Sequence, residues 1–328
     1  MRLKNAFVVA AGLLLSSNAF SQTPVLGGQA AAQRSAREVT VAAIPGVVEA
    51  GAKWKIFWTG LNMDNADGIV GAADGGVIFA QRQGNKVRKV DFDGKTSVLL
   101  GNTDGAGSLG IDHQGRIVAV MRDHPSVAIL TPERKLLTDN YYGVPFKGAS
   151  DLVVERRGGL YFVESGRKPT PGVYYLAPDG KLFFFGDGIR ADGIALSPDE
   201  KTLYVSNRDN IVAIDLLPDG TGSNNRRESE KLQGQGVSGD GMTVDAEGRI
   251  YVSTRVGVQV MSPQGKLLGV IASPRGMNSV AFSGPDKKTL FIIGLGAVDT
   301  NGVESTERNA KTIYGLPMVA QGFKGRAK

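Results

Sequence analysis

Apolar and polar residues alternate in short runs along this chain, and the runs come in pairs separated by turns rich in Asp and Gly. "ADGIVGAADGGVIFAQ" from Ala66 sets the form: one polar or small residue, an apolar alternation, a turn, and a second apolar run. The form returns in "AGSLGIDHQGRIVAVM" from Ala106, "ASDLVVERRGGLYFVE" from Ala149, "ADGIALSPDEKTLYVSN" from Ala191, "GDGMTVDAEGRIYVST" from Gly239 and "MNSVAFSGPDKKTLFII" from Met277. A period of two over five or six residues, bounded by Asp-Gly turns, predicts strands joined as hairpins.

Equivalent positions in the six copies are Asp67, Gly107, Ser150, Asp192, Asp240 and Asn278, spaced by 40, 43, 42, 48 and 38 residues. Further strand-like runs lie between the copies, such as "GVYYLAPDGKLFFF" at 172–185 and "GVQVMSPQGKLLGVI" at 257–271. Two hairpins per period of about 40 residues make a four-stranded blade. The sequence therefore predicts an all-β fold, a six-bladed β-propeller of four-stranded antiparallel blades. The run from Trp54 to Trp58 precedes the first copy and "TIYGLPMV" at 312–319 follows the last, so the N-terminal strand is expected to complete the blade begun near Asn278 and leave no free sheet edge.

The flanks read differently. Arg2 and Lys4 stand ahead of an apolar run from Ala6 to Leu15, with Ala19 and Ser21 as small residues before a cut. That run is about half of what a bilayer needs, so residues 1–21 are expected to be a signal peptide and the protein to be exported, periplasmic or secreted. Residues 22–50 are expected to be a flexible leader, 51–320 the propeller and 321–328 a C-terminal tail. No later segment predicts a membrane span.

Composition narrows the chemistry. Glycine, at 45 of 328 residues, suits many tight turns, and a 41% apolar fraction supports a real core. There are no cysteines, which excludes disulfides, thiolate metal sites and a Cys nucleophile. The 38 basic residues against 32 acidic ones are scattered, and their densest cluster, "NNRRESEK" at 224–231, mixes both signs in what reads as a polar loop. No basic stripe with interleaved aromatics marks a nucleic-acid partner.

In a propeller the innermost strands line a central channel, so the first residues of those strands meet at one end. Asp67, Asp192 and Asp240 would converge there, with Ser150 and Asn278 beside them. Any single Asp before Gly could simply satisfy turn amides. Three at equivalent positions point to a shared site. Carboxylates about 5 Å apart repel by about 3 kcal/mol per pair at an effective dielectric near 20, so a bound cation or a shared proton is expected. Oxygen-only ligands favour a hard divalent ion, and Ca²⁺ tolerates irregular geometry better than Mg²⁺. With only two histidines, zinc has little support.

Several of these strings, above all "DGIALSPDEKTLYVSN", "GDGMTVDAEGRIYVST", "GVQVMSPQGKLLGVI" and "NSVAFSGPDKKTLFI", together resemble the regucalcin and gluconolactonase family of six-bladed propellers, over about Asp67 to Gly294. The resemblance implies a channel-mouth divalent metal, Ca²⁺ first, with Mg²⁺, Mn²⁺ and Zn²⁺ as alternatives, held by Asp67, Asp192 and Asp240. Asp67 stands where the family usually has Glu, Asp192 where an amide is usual, and Ser150 where an Asn is usual. It further implies hydrolysis of a sugar lactone or other cyclic ester, with Asp240 as ligand and base and Asp192 as its catalytic companion.

Substrate contacts are expected from Ser150 and Asn278 and from loops on the same face, which carry Arg122, His124 and Arg208 as well as Arg82, Arg167 and Arg255. His113 falls at the opposite end, so a Ser-His-Asp triad has little support. The alternative is a non-catalytic propeller that binds a small ligand or protein around a structural metal, since the architecture serves both uses.

Overall fold

The computed structural model describes residues 38–61, 66–165, 171–298, 304–305 and 310–328. The expected signal peptide and the first part of the expected leader, through residue 37, lie outside these.

Six four-stranded antiparallel sheets form the blades. Blade 1 runs Ala66–Gly71, Val77–Gln81, Lys86–Val90 and Thr96–Gly101, from the inside outwards. Blades 2 to 5 repeat that order, with inner strands Ala106–Ile111, Ala149–Val154, Ile194–Leu196 and Met242–Val244. Blade 6 has Met277–Ser283 innermost, then Thr289–Leu295 and Lys311–Pro317, and its outer strand is Lys55–Gly60 from the other end of the chain. The closure expected from Trp54 to Trp58 is therefore present. Each inner strand also packs against the inner strands on both sides, so the six form a ring around the channel.

Burial follows position in the blade. The second strand of blade 1, "VIFAQ", is buried at every residue, whereas its outermost strand, "TSVLLG", is half-buried or exposed throughout. Strands flanked on both faces need continuous apolar runs, while an outer strand needs charge to discourage edge pairing. This explains a departure from expectation: residues 224–228 of the segment 224–231 read as a polar loop belong to the outer strand of blade 4, Gly222–Glu228. Arg227 is held there by both oxygens of Asp215, at 2.7 and 2.6 Å.

The expected flexible leader also ends earlier than residue 50. Val41, Ile44, Val47 and Val48 are buried in a cluster with Tyr251, Val260, Val280 and Leu316 of blades 5 and 6, and Val47 accepts backbone hydrogen bonds from Val319 and Ala320. Four apolar side chains within eight residues are enough to anchor this segment to the flank of the propeller.

The tail is likewise seated. Its backbone bonds to Ala246, Lys287, Val244 and Gly71, and Arg326 donates to the carbonyl oxygens of Leu196 and Ser197 and pairs with Glu200 at 2.9 Å. These contacts lie across the far ends of the inner strands. From there Lys328 reaches back to pair with Asp151, one residue below Ser150 in the channel wall.

Candidate functional site

Asp67, Gly107, Ser150 and Asn278 are each the second residue of their inner strands, and Asp192 and Asp240 just precede theirs. The ring of strands brings all six positions to one mouth of the channel. The glycine that follows each Asp has its own reason. A Cβ on Gly193 would stand 1.9 Å from the carbonyl oxygen of Asp240, and one on Gly68 would stand 2.5 Å from Cα of Ser108. At Gly241 the nearest atom would be the Asn278 oxygen, at 3.0 Å. Adjacent inner strands pass too closely at Gly68 and Gly193 for a side chain and are tight at Gly241, so the carboxylate faces the channel while the glycine admits the next blade. Gly193→Ala is expected to destabilise the fold by about 1–3 kcal/mol through backbone displacement, read as a lower urea midpoint with unchanged slope.

Neighbouring blades are tied through these residues. Ser150 Oγ donates to Asp192 Oδ1 at 2.7 Å, and Asn278 Nδ2 donates to Asp67 Oδ1 at 3.2 Å. Arg122, from the turn after the second strand of blade 2, brings Nη2 to 3.4 Å from Asp67 Oδ2. Below the ring, Asp151 accepts from Ser108 Oγ at 2.5 Å and from the backbone of Ile194 at 3.0 Å.

The charges act on one another as the sequence reading expects of converging carboxylates. Burial, then the charges of Asp192 and Asp67, push the Asp240 carboxyl well above the usual range. Burial also raises Asp192, against the hydrogen bond from Ser150 and the charge of Arg122, which pull it down. Lys311 opens the third strand of blade 6. Burial pulls its ammonium down, while Asp67 and Asp240 hold it up. Sequence reasoning missed Lys311, Lys328 and Asp151 as members of this network. Lys311 and Lys328 carry no repeat signal, and Asp151 has no carboxylate counterpart among Gly68, Ser108, Gly193, Gly241 and Ser279, its equivalents in the other copies.

The remaining expected residues fall into two groups. His124 is exposed, with Nδ1 2.7 Å from Asp104 Oδ1 in a cluster that includes Arg134, beside a cavity of about 580 Å³. Arg208 and Arg255 are exposed in turns, Arg82 is paired with Asp123, and Arg167 lies outside the described residues. His113 sits at the far end of the channel, beside Asp112 and Arg326, as expected. Of the loop donors, Arg122 alone is brought into contact with a ring carboxylate among the described residues.

The donor set suits a hard divalent ion. It is all oxygen, and the buried Oδ1 of Asn278 has no hydrogen-bond partner. Among the described residues, no three His, Cys, Asp or Glu side chains form a ready metal cluster. Asp67 is turned to Asn278 and Arg122, and Asp192 to Ser150.

A family model described as the SMP-30/Gluconolactonase/LRE-like region matches residues 66–295. A gluconolactonase of Zymomonas mobilis is 34% identical over 198 residues, 53% of this chain and 54% of that protein, so the match spans about half of the relative. The solved structure of a gluconolactonase from Xanthomonas campestris is 26% identical with a TM-score of 0.70, covering 85% of this chain and 93% of that one. A calcium-binding protein, regucalcin, from Agrobacterium tumefaciens superposes with a TM-score of 0.67 over 83% of this chain and 95% of its own, at 18% identity, a likeness of fold.

Proposed function

Because the chain belongs to the SMP-30/gluconolactonase/LRE-like family, we propose that its channel mouth opens a lactone or related cyclic ester with the help of a divalent ion. The observation that carries this reading is the convergence of Asp67, Asp192 and Asp240 from three blades, with the Asp240 carboxyl pushed up by burial and by its neighbours. A carboxylate raised towards working pH is a better base than an ordinary one. The same repulsion is what a cation would relieve.

Asp67, Asp192, Asp240 and the unpartnered Oδ1 of Asn278 would hold the ion, Ca²⁺ first, which when bound supplies Lewis-acid stabilisation of charge on the ester carbonyl. The chain's own residues do the rest. Asp240 takes a proton from a water whose oxygen attacks the carbonyl carbon. The ring C–O bond then breaks, and the departing oxygen takes up a proton to leave a hydroxy acid. Ser150, by holding Asp192 Oδ1, aims that carboxylate and limits its rise. Asn278 orients Asp67 through Nδ2, which leaves Oδ1 free.

The test is proton release from a panel of aldonolactones, with chelator-treated protein and with Ca²⁺, Mg²⁺, Mn²⁺ or Zn²⁺ restored in turn, alongside calorimetric titration of each ion. Turnover lost with the ion and recovered with one of the four supports the reading. Tight ion binding without turnover on any lactone would favour the binding propeller.

A further inference from the structure

Five of the six equivalent ring positions carry a side chain that reaches the mouth, and blade 2 contributes Gly107. That gap is filled from elsewhere. Arg122 is fixed by its backbone N–H to the Gly105 oxygen at 2.9 Å, and its side chain lies back over Gly107. A Cβ on Gly107 would stand 2.4 Å from Arg122 Nε, 2.6 Å from Cγ and 3.0 Å from Cδ. The missing side chain of blade 2 is therefore the space through which a guanidinium enters the ring.

The guanidinium is held but not saturated. Its Nη2 is 3.4 Å from Asp67 Oδ2, longer than the 2.7–2.9 Å usual for a charge-assisted hydrogen bond. Its Nε is buried and has no partner. Its Nη2 end, on the Asp67 side, points towards the ring of carboxylates and is not fully enclosed. The Nη side of the planar fork, a quarter of the side chain being exposed and its one ion pair long, has room for one more acceptor, and a carboxylate or an ester carbonyl suits it best.

We propose that Arg122 is the anchoring residue for substrate and product: its guanidinium, seated over Gly107, takes the carbonyl oxygen of the lactone and then the carboxylate of the opened hydroxy acid. This rests on the lactonase reading. It assigns blade 2 a part that its own ring position lacks, and it makes Gly107 necessary for the site as well as for the strand.

The experiment compares the wild type with Arg122→Gln, Arg122→Lys and Gly107→Ala, using glucono-1,5-lactone turnover and calorimetric binding of gluconate, with melting curves to check folding. Arg122→Gln is expected to raise KM and weaken gluconate binding about 10- to 100-fold while kcat changes less than the binding does. Gly107→Ala keeps the arginine but displaces it, and is expected to show the same split. Arg122→Lys, with a point charge and no fork, should fall between.

An active Arg122→Gln with unchanged KM and gluconate affinity overturns the assignment alone. A Gly107→Ala protein indistinguishable from wild type, beside an impaired Arg122→Gln, also overturns it, because placement over the glycine would then be irrelevant. A folded, ion-restored wild type that opens none of the aldonolactones and binds no gluconate overturns the lactonase reading and this assignment with it.

Discussion

Asp240→Asn is expected to lower lactone turnover by about 10²–10⁴-fold, the usual worth of a positioned base, and at the same time to raise the melting temperature of the ion-free protein. The sign of the second effect comes from the raised Asp240 carboxyl. The folded state raises the Asp240 carboxyl above its ordinary value, so it binds that proton more tightly than the unfolded chain does. Stability then falls as pH rises from the ordinary carboxylate range through the raised value. Asn has nearly the same shape and no charge, so it recovers what the wild type loses above that window. Melting curves in chelator should show the variant ahead by a few degrees at pH 7, with the gap closing towards pH 4, where wild-type Asp240 is itself protonated. A variant less stable than wild type at pH 7 would mean that a counter-charge, and not strain, dominates at Asp240.

Asp245→Ala is expected to do the reverse, only five residues further on. Asp245 is fully buried at the other end of the same inner strand, where it accepts from the backbone of Glu247 and Arg249, from Arg249 Nε at 2.5 Å and from Tyr251 Oη at 2.8 Å. Removing it leaves the buried hydroxyl of Tyr251 without its acceptor and the nearly buried Arg249 guanidinium with only the exposed Glu247 carboxylate, 3.0 Å from Nη1. Breaking such a pair costs about 3–5 kcal/mol. Urea denaturation should show that loss, while lactone KM and ion affinity of the folded fraction stay as in wild type. A change in ion affinity would show that the two ends of the strand are coupled.

These two aspartates show how much the sequence reveals. The repeat "IDHQGRI" and "VDAEGRI" carries a local instruction: Asp112 and Asp245 each cap the amides two and four residues on and pair with the Arg four residues on, and Gly115 and Gly248 take the left-handed turn at φ 77° and 80°. Everything that instruction needs lies within five residues. The aspartates before glycine obey a different rule. Their equivalence is visible only as a period of about 40 residues, and their meeting follows from the closed ring. Periodicity therefore supports both the fold and the list of residues at the mouth.

The state of the mouth was not legible in the same way. Ser150 could be named as a neighbour of the carboxylates, but its bond to Asp192 depends on how two inner strands are offset. The packing of "VAAIPGVV" is not legible either, because the run is too short and irregular to read as an element and its burial depends on the flank of blades 5 and 6 that receives it.

From its own order of residues, then, this chain determines short alternating strands, tight Asp-Gly turns, six copies, and which positions those copies make equivalent. Each of these is a local or periodic property, set by side-chain alternation and by the conformations that glycine permits. Tertiary structure alone decided which charges share the channel. Arg122 enters over Gly107, Lys311 arrives from blade 6, and Lys328 returns from the far end to Asp151. Long flexible side chains from unrelated positions are selected by the space and the charge that the closed ring leaves, and neither exists until the ring has closed.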